Sequence, residues 1–95
     1  MSDVMCDSMC TLDYTDLGHQ TWTMLHTLAT THCGPLLFQA LMVAIANIYP
    51  CVECQNHMHS YLTAHPVTQD VPTWLCHFHN NVNKRLNKTI HPCGF

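Results

Sequence analysis

Cys51 and Cys54, in the run Tyr49-Pro50-Cys51-Val52-Glu53-Cys54, are a dithiol that can close on itself and exchange electrons with other thiols. Pro50 opens a helix there, so the pair occupies a first turn whose unpaired N–H groups and dipole favour a thiolate and hence faster exchange. Further on, Trp74-Leu75-Cys76-His77-Phe78-His79-Asn80-Asn81-Val82-Asn83-Lys84-Arg85-Leu86-Asn87-Lys88 gathers polar and basic groups. Cys76, Asn80 and Asn83 share one helical face at i, i+4 and i+7, with His79 on its edge, a line of donors suited to a large planar ligand. Trp22 and His26, four apart, point an aromatic face and an imidazole the same way, although spacing alone favours a core position for Trp22. Cys-x-x-Cys alone is shared by redox centres, zinc knuckles and thioredoxin-like proteins, and the absence of a βαβ pattern disfavours the last. Cys51, Cys54, Cys76 and His79 also make two Cys-x-x-(Cys/His) halves of a tetrahedral zinc site, which would make the chain a structural binding module.

The positioning elements are legible from punctuation and period. Apolar Leu17, Trp22, Leu25, Leu28 and Ala29 recur at helical spacing from Asp16, with Thr15 or Asp16 as N-cap and an end near Cys33-Gly34. A second helix over residues 35–49 is apolar nearly all round and is expected to bury more than one side, which in so small a chain implies a homodimer through the first two helices. A third runs from Pro50 to before Pro66. A fourth begins near Pro72 and is expected to bury Leu75, Phe78, Val82 and Leu86. No strand pattern or repeat is present, so the fold class is all-α, a four-helix bundle with a short extra C-terminal turn or helix.

Ninety-five residues make one domain, which buries only about 65% of its unfolded surface and therefore needs help from disulfides, a cofactor or a partner. Hydrophobic residues reach 47% against 9% charged, leaving few groups to solvate a monomer. All three cations, Lys84, Arg85 and Lys88, fall within five residues, and all six acids lie upstream. A net charge of −3 argues against nucleic acid as partner, whereas the focused cations fit a compact anion such as a dinucleotide pyrophosphate, or else a solvated helix end whose Lys and Arg favour the C-terminal dipole. The longest apolar run, residues 36–49, is too short to span a bilayer. The N-terminus carries no secretory signal, so seven cysteines point to redox or metal chemistry rather than a secreted scaffold.

Three ordered stretches, Leu17-Gly18-His19-Gln20-Thr21-Trp22-Thr23-Met24-Leu25-His26, Tyr49-Pro50-Cys51-Val52-Glu53-Cys54 and the run from His79 to Lys88, closely resemble the Erv/ALR flavin-linked sulfhydryl oxidases. The likeness covers residues 17 to 93. It implies a helical bundle cradling FAD, with Cys51 meeting substrate thiols and Cys54 facing the flavin, and with electrons passed to O2 to give H2O2. His19, Trp22, His26, His57, Cys76, His79, Asn80, Val82, Asn83, Lys84 and Lys88 would then line the cofactor site, and no metal would be required. Cys76 and Cys93 match a structural disulfide of the family. The partners implied are thiol-containing proteins and O2.

Some positions depart from the family pattern. His19 stands where arginine is common, replacing a cation by a group mostly neutral at pH 7. Thr31 and His32 replace residues that are often aromatic, the first inter-helix connection is short, and a C-terminal extension with tryptophan is missing after Phe95. This compactness resembles virus-encoded members. Residues 1–14 read as a mobile arm, ahead of an oxidase domain over 15–95, in which Cys6 and Cys10 are a shuttle pair, inter-subunit links or idle thiols. Cys33, the odd seventh cysteine, reads as a buried or free thiol rather than a dimer-linking one. The mitochondrial intermembrane space, or host cytoplasm and virion for a viral chain, would suit the chemistry. A chain using this fold only for assembly would keep its role without Cys51.

Overall fold

The computed structural model describes residues 14–31 and 34–93. The expected arm, with Cys6 and Cys10, falls almost wholly outside these residues, as do Cys33 and Phe95. Four helices follow in order: α1 Tyr14–Ala29, α2 Pro35–Ile48, α3 Val52–Ala64 and α4 Val71–Arg85. No strand occurs among the described residues. The main packed pairs are α2 with α3 and α1 with α4.

Local chemistry sets each boundary. Pro35 sits at the start of α2, where its missing N–H is not needed. Pro50 forces Tyr49 out of helical geometry, and Cys51 follows at once as N-cap of α3, its sulfur accepting from Cys54 N–H at 3.2 Å. Asp70 caps α4 by accepting from Thr73 N–H at 3.3 Å and Thr73 Oγ1 at 2.8 Å. The first helix starts two residues earlier than expected, placing Thr15 and Asp16 inside it, and stops at Ala29, short of Cys33-Gly34. Its last turn tightens, with Thr31 N–H bonding Leu28 O three residues back and both Thr30 and Thr31 hydroxyls bonding carbonyls three back.

The core is one cluster with members from every helix: Leu25 and Ala29; Phe38, Met42, Ile45 and Ala46; Met58 and Leu62; Val71, Trp74, Leu75 and Phe78. Spacings of three and four put each set on one face. Polar groups at its margin are paired: Gln39 Oε1 accepts Val67 N–H at 2.8 Å, and Trp74 Nε1–H donates to His65 O at 2.8 Å. Only one side of α2 is buried within the chain. Leu36, Leu37 and Ile48 are 86%, 71% and 75% exposed, so the expected second buried side has no cover among the described residues.

Leu86 corrects another expectation. It continues the buried spacing of α4 but lies beyond the helix, 48% exposed, because the chain turns there. Asn87 adopts φ 59°, with its N–H bonding Lys84 O and Lys88 N–H bonding Asn83 O, which is a Schellman cap. The expected extra C-terminal element is this turn, followed by an irregular tail. Asn87→Gly is expected to leave stability within about 0.5 kcal/mol or raise it, while Asn87→Val costs about 1–2 kcal/mol. Chemical denaturation of the two variants measures the difference.

Candidate functional site

Two cavities with shared lining open here, the first between the helix pairs and the second between α1, α4 and the tail. The first, of about 430 Å³, is walled by Leu25, Ile45, Met58, Phe78 and Val82, with Trp22, Cys51, Cys54 and His57 on its sides and His19, Arg85 and Lys88 also in its lining. The second, of about 530 Å³, shares His19, Trp22, Val82, Leu86 and Lys88 and adds His79, Asn83, Thr89 and His91. The first is thus apolar and aromatic beside a sulfur pair, with Arg85 and Lys88 at its margin, and the second, which shares Lys88, adds polar Asn83 and Thr89. This matches a flat aromatic ring system carrying an anionic tail.

Cys51 and Cys54 are joined, with Cα atoms 5.2 Å apart, and both are half-buried in the cavity wall. The pair bridges the N-cap and third residue of α3, held by the two-residue connection from α2 and by Gln55, whose side chain donates to Tyr49 O at 2.5 Å. The Cys54 N–H, one of the donors a helix N-terminus leaves without an intrahelical partner, points at the Cys51 sulfur.

The aromatic wall is a layered stack. Trp22 lies flat against His79, centroids 3.7 Å apart and planes within 9°, and tilts against Phe78 at 5.6 Å. Behind it His26 Nε2 and His79 Nδ1 are 3.0 Å apart, one donating to the other. Burial pulls the His79 pKa from 6.5 to about 4, and positive charge on His26, His91 or Lys88 acts the same way; burial also lowers His26. Both imidazoles are neutral near pH 7, keeping the wall apolar.

The pH consequence has a definite sign. With a folded pKa below the unfolded one, the unfolded chain binds more protons between about pH 6.5 and 4. The stabilisation is complete above 6.5 and is lost as pH falls towards 4. His79 is only half-buried, so solvent screening trims the loss to about 1 kcal/mol, or about 4–8 °C in Tm. Thermal melts of the ligand-free chain across this range are expected to show the drop, and His79→Gln to flatten it.

Of the expected cofactor residues, His19, Trp22, His57, Val82 and Lys88 line the first cavity, and His79 and Asn83 the second. His26 supports His79 from behind. Asn80 faces the tail: its amide donates to His91 O at 2.6 Å and to Cys93 sulfur at 3.0 Å, while its oxygen accepts His91 N–H at 2.9 Å. Cys76 is joined to Cys93, Cα atoms 5.8 Å apart. Lys84 is exposed and lines neither cavity; Arg85, one position on, does. Arg85 was findable from helical period, since Phe78, Val82 and Arg85 follow at spacings of four and three. The zinc alternative fails here, because Cys76 pairs with Cys93, Cys51 with Cys54, and no three-residue metal-binding group forms among the described residues.

Comparison with known proteins agrees with this geometry. Residues 19–94 match the profile of the Erv1 / Alr family. An Arabidopsis thaliana protein named FAD-linked sulfhydryl oxidase ERV1 is 39% identical over 88 residues, covering 82% of this chain and 46% of that protein. An African swine fever virus protein named FAD-linked sulfhydryl oxidase is 53% identical over 45 residues, 43% of this chain and 38% of that one. The chain thus spans about half the length, or less, of these relatives. The crystal structure of the FAD binding domain of Erv1 from Saccharomyces cerevisiae superposes with a TM-score of 0.77 at 26% identity, covering 88% of this chain and 90% of that one.

Proposed function

The chain belongs to the Erv1/Alr family, and from that premise we propose that it is an FAD-linked thiol oxidase that forms disulfides in substrate proteins. The observation that carries the reading is the Cys51–Cys54 disulfide set in the wall of an aromatic cavity that also holds cations. Trp22, Phe78 and Val82 offer surfaces for a flavin ring, Asn83 and His79 the polar second chamber, and Arg85 and Lys88 the positive groups for a diphosphate. When bound, FAD supplies a two-electron acceptor that O2 reoxidises with release of H2O2.

The protein's own part is thiol exchange. A substrate thiolate attacks Cys51, the Cys51–Cys54 bond breaks, and Cys54 departs as a thiolate favoured by the helix N-terminus. A second substrate thiol then resolves the mixed disulfide and leaves oxidised. Cys54, one turn into α3, is the sulfur assigned to face the flavin. Exposed Leu36, Leu37 and Ile48 on α2, with Met24 on α1, give the apolar face through which we assign a homodimer. No described helix is long and apolar enough to cross a membrane.

Oxygen uptake by the purified chain with dithiothreitol tests the reading. One peroxide per dithiol oxidised is expected; no flavin and no uptake would overturn it.

A further inference from the structure

His57 lies three residues past Cys54 on α3 and lines the same cavity as the disulfide, yet thiol exchange as described leaves it unused. Its ring is fixed in place. Asn81 Oδ1 on α4, an atom that only accepts, is 2.7 Å from His57 Nε2, so Nε2 carries a hydrogen and donates it. Phe78 lies nearly parallel to the ring, with centroids 6.3 Å apart and 21° between planes. With Nε2 committed, Nδ1 of the neutral ring keeps the lone pair, in a half-buried side chain on the helical face it shares with Cys54.

Resting on the oxidase reading, we propose that His57 Nδ1 is the proton acceptor that keeps reduced Cys54 a thiolate, with Asn81 as its positioning residue. A substrate thiolate bonds to Cys51 Sγ, the Cys51–Cys54 bond breaks, and its electron pair leaves on Cys54 Sγ. The second substrate thiolate displaces Cys51, so the substrate loses two electrons and the pair gains two. Of the two protons the substrate thiols gave up, one returns to Cys51 as a thiol and the other settles on His57 as an imidazolium paired with the Cys54 thiolate. The surrounding titratable groups are Glu53 and Tyr61, one turn either side on α3, Arg85 and Lys88 from the α4 end, and His19 of α1.

Ring ¹⁵N NMR of the full chain, oxidised and then dithiol-reduced at about pH 7, reads this directly. Nδ1 is expected to become protonated on reduction in the wild type and to stay unprotonated in Cys54→Ser. Peptide-resolved alkylation of the reduced chain by iodoacetamide gives a second readout. His57→Gln is expected to slow Cys54 alkylation about 5- to 10-fold with Cys51 unchanged, and Asn81→Ala to slow it less. Identical Nδ1 protonation in both redox states, or equal slowing at both cysteines, would overturn the proposal. Neither readout uses flavin or oxygen, so failure of the oxidase reading would show separately, as absent flavin and absent oxygen uptake.

Discussion

Cys54→Ser is expected to abolish dithiol-driven oxygen uptake, by about a thousandfold or more, while the chain stays folded. The two halves of that result have separate causes. Turnover needs a disulfide that substrate can open, and one sulfur cannot supply it. Folding survives because the Cys51–Cys54 bridge spans only three residues, so opening it releases little loop-closure entropy. The core cluster contains neither cysteine. Oxygen-electrode traces alongside far-ultraviolet circular dichroism check both halves; uptake above a tenth of wild type with a native spectrum would mean that another cysteine pair carries the electrons.

Cys93→Ser should instead act on stability. Its bridge to Cys76 spans 17 residues and ties the tail to α4, and in the chain-entropy account a loop of that size is worth about 3 kcal/mol. For a domain of this length that lowers Tm by about 10–20 °C. The Asn80 amide still grips His91 on both sides, so the tail is loosened rather than released. Because Lys88, Thr89 and His91 line the second cavity, the variant is also expected to retain less flavin. Scanning calorimetry and bound-flavin content measure the two effects. A Tm within a few degrees of wild type would show that the Asn80 clamp holds the tail without the bridge.

Much of this architecture is legible in the sequence where backbone chemistry punctuates it. Pro35, Pro50 and Pro66 place α2 and α3 within two residues, because proline acts on its neighbours whatever the tertiary context. The threonine-rich end of α1 is not legible, since hydroxyl-to-carbonyl bonds compete with helical propagation and only the folded chain decides the outcome. Periodicity alone puts Leu86 in the core, because it has no means of registering the turn at Asn87. The cation cluster is legible as a focus of charge, but which cation enters the cavity depends on helix rotation, and Arg85 rather than Lys84 shares the face of Phe78 and Val82. The pairing of cysteines distant in sequence lies beyond local reasoning. The partner of Cys76 is seventeen residues away, and only the family resemblance pointed to it.

The joint work of disulfide and cofactor is tested most directly by the visible absorption spectrum of the purified chain under anaerobic dithiothreitol, followed by air. The account predicts a flavin band near one per chain that thiol bleaches and oxygen restores, with bleaching absent in Cys54→Ser. A chain without the band, or with a band that dithiol bleaches as fast when Cys54 is serine, would contradict it.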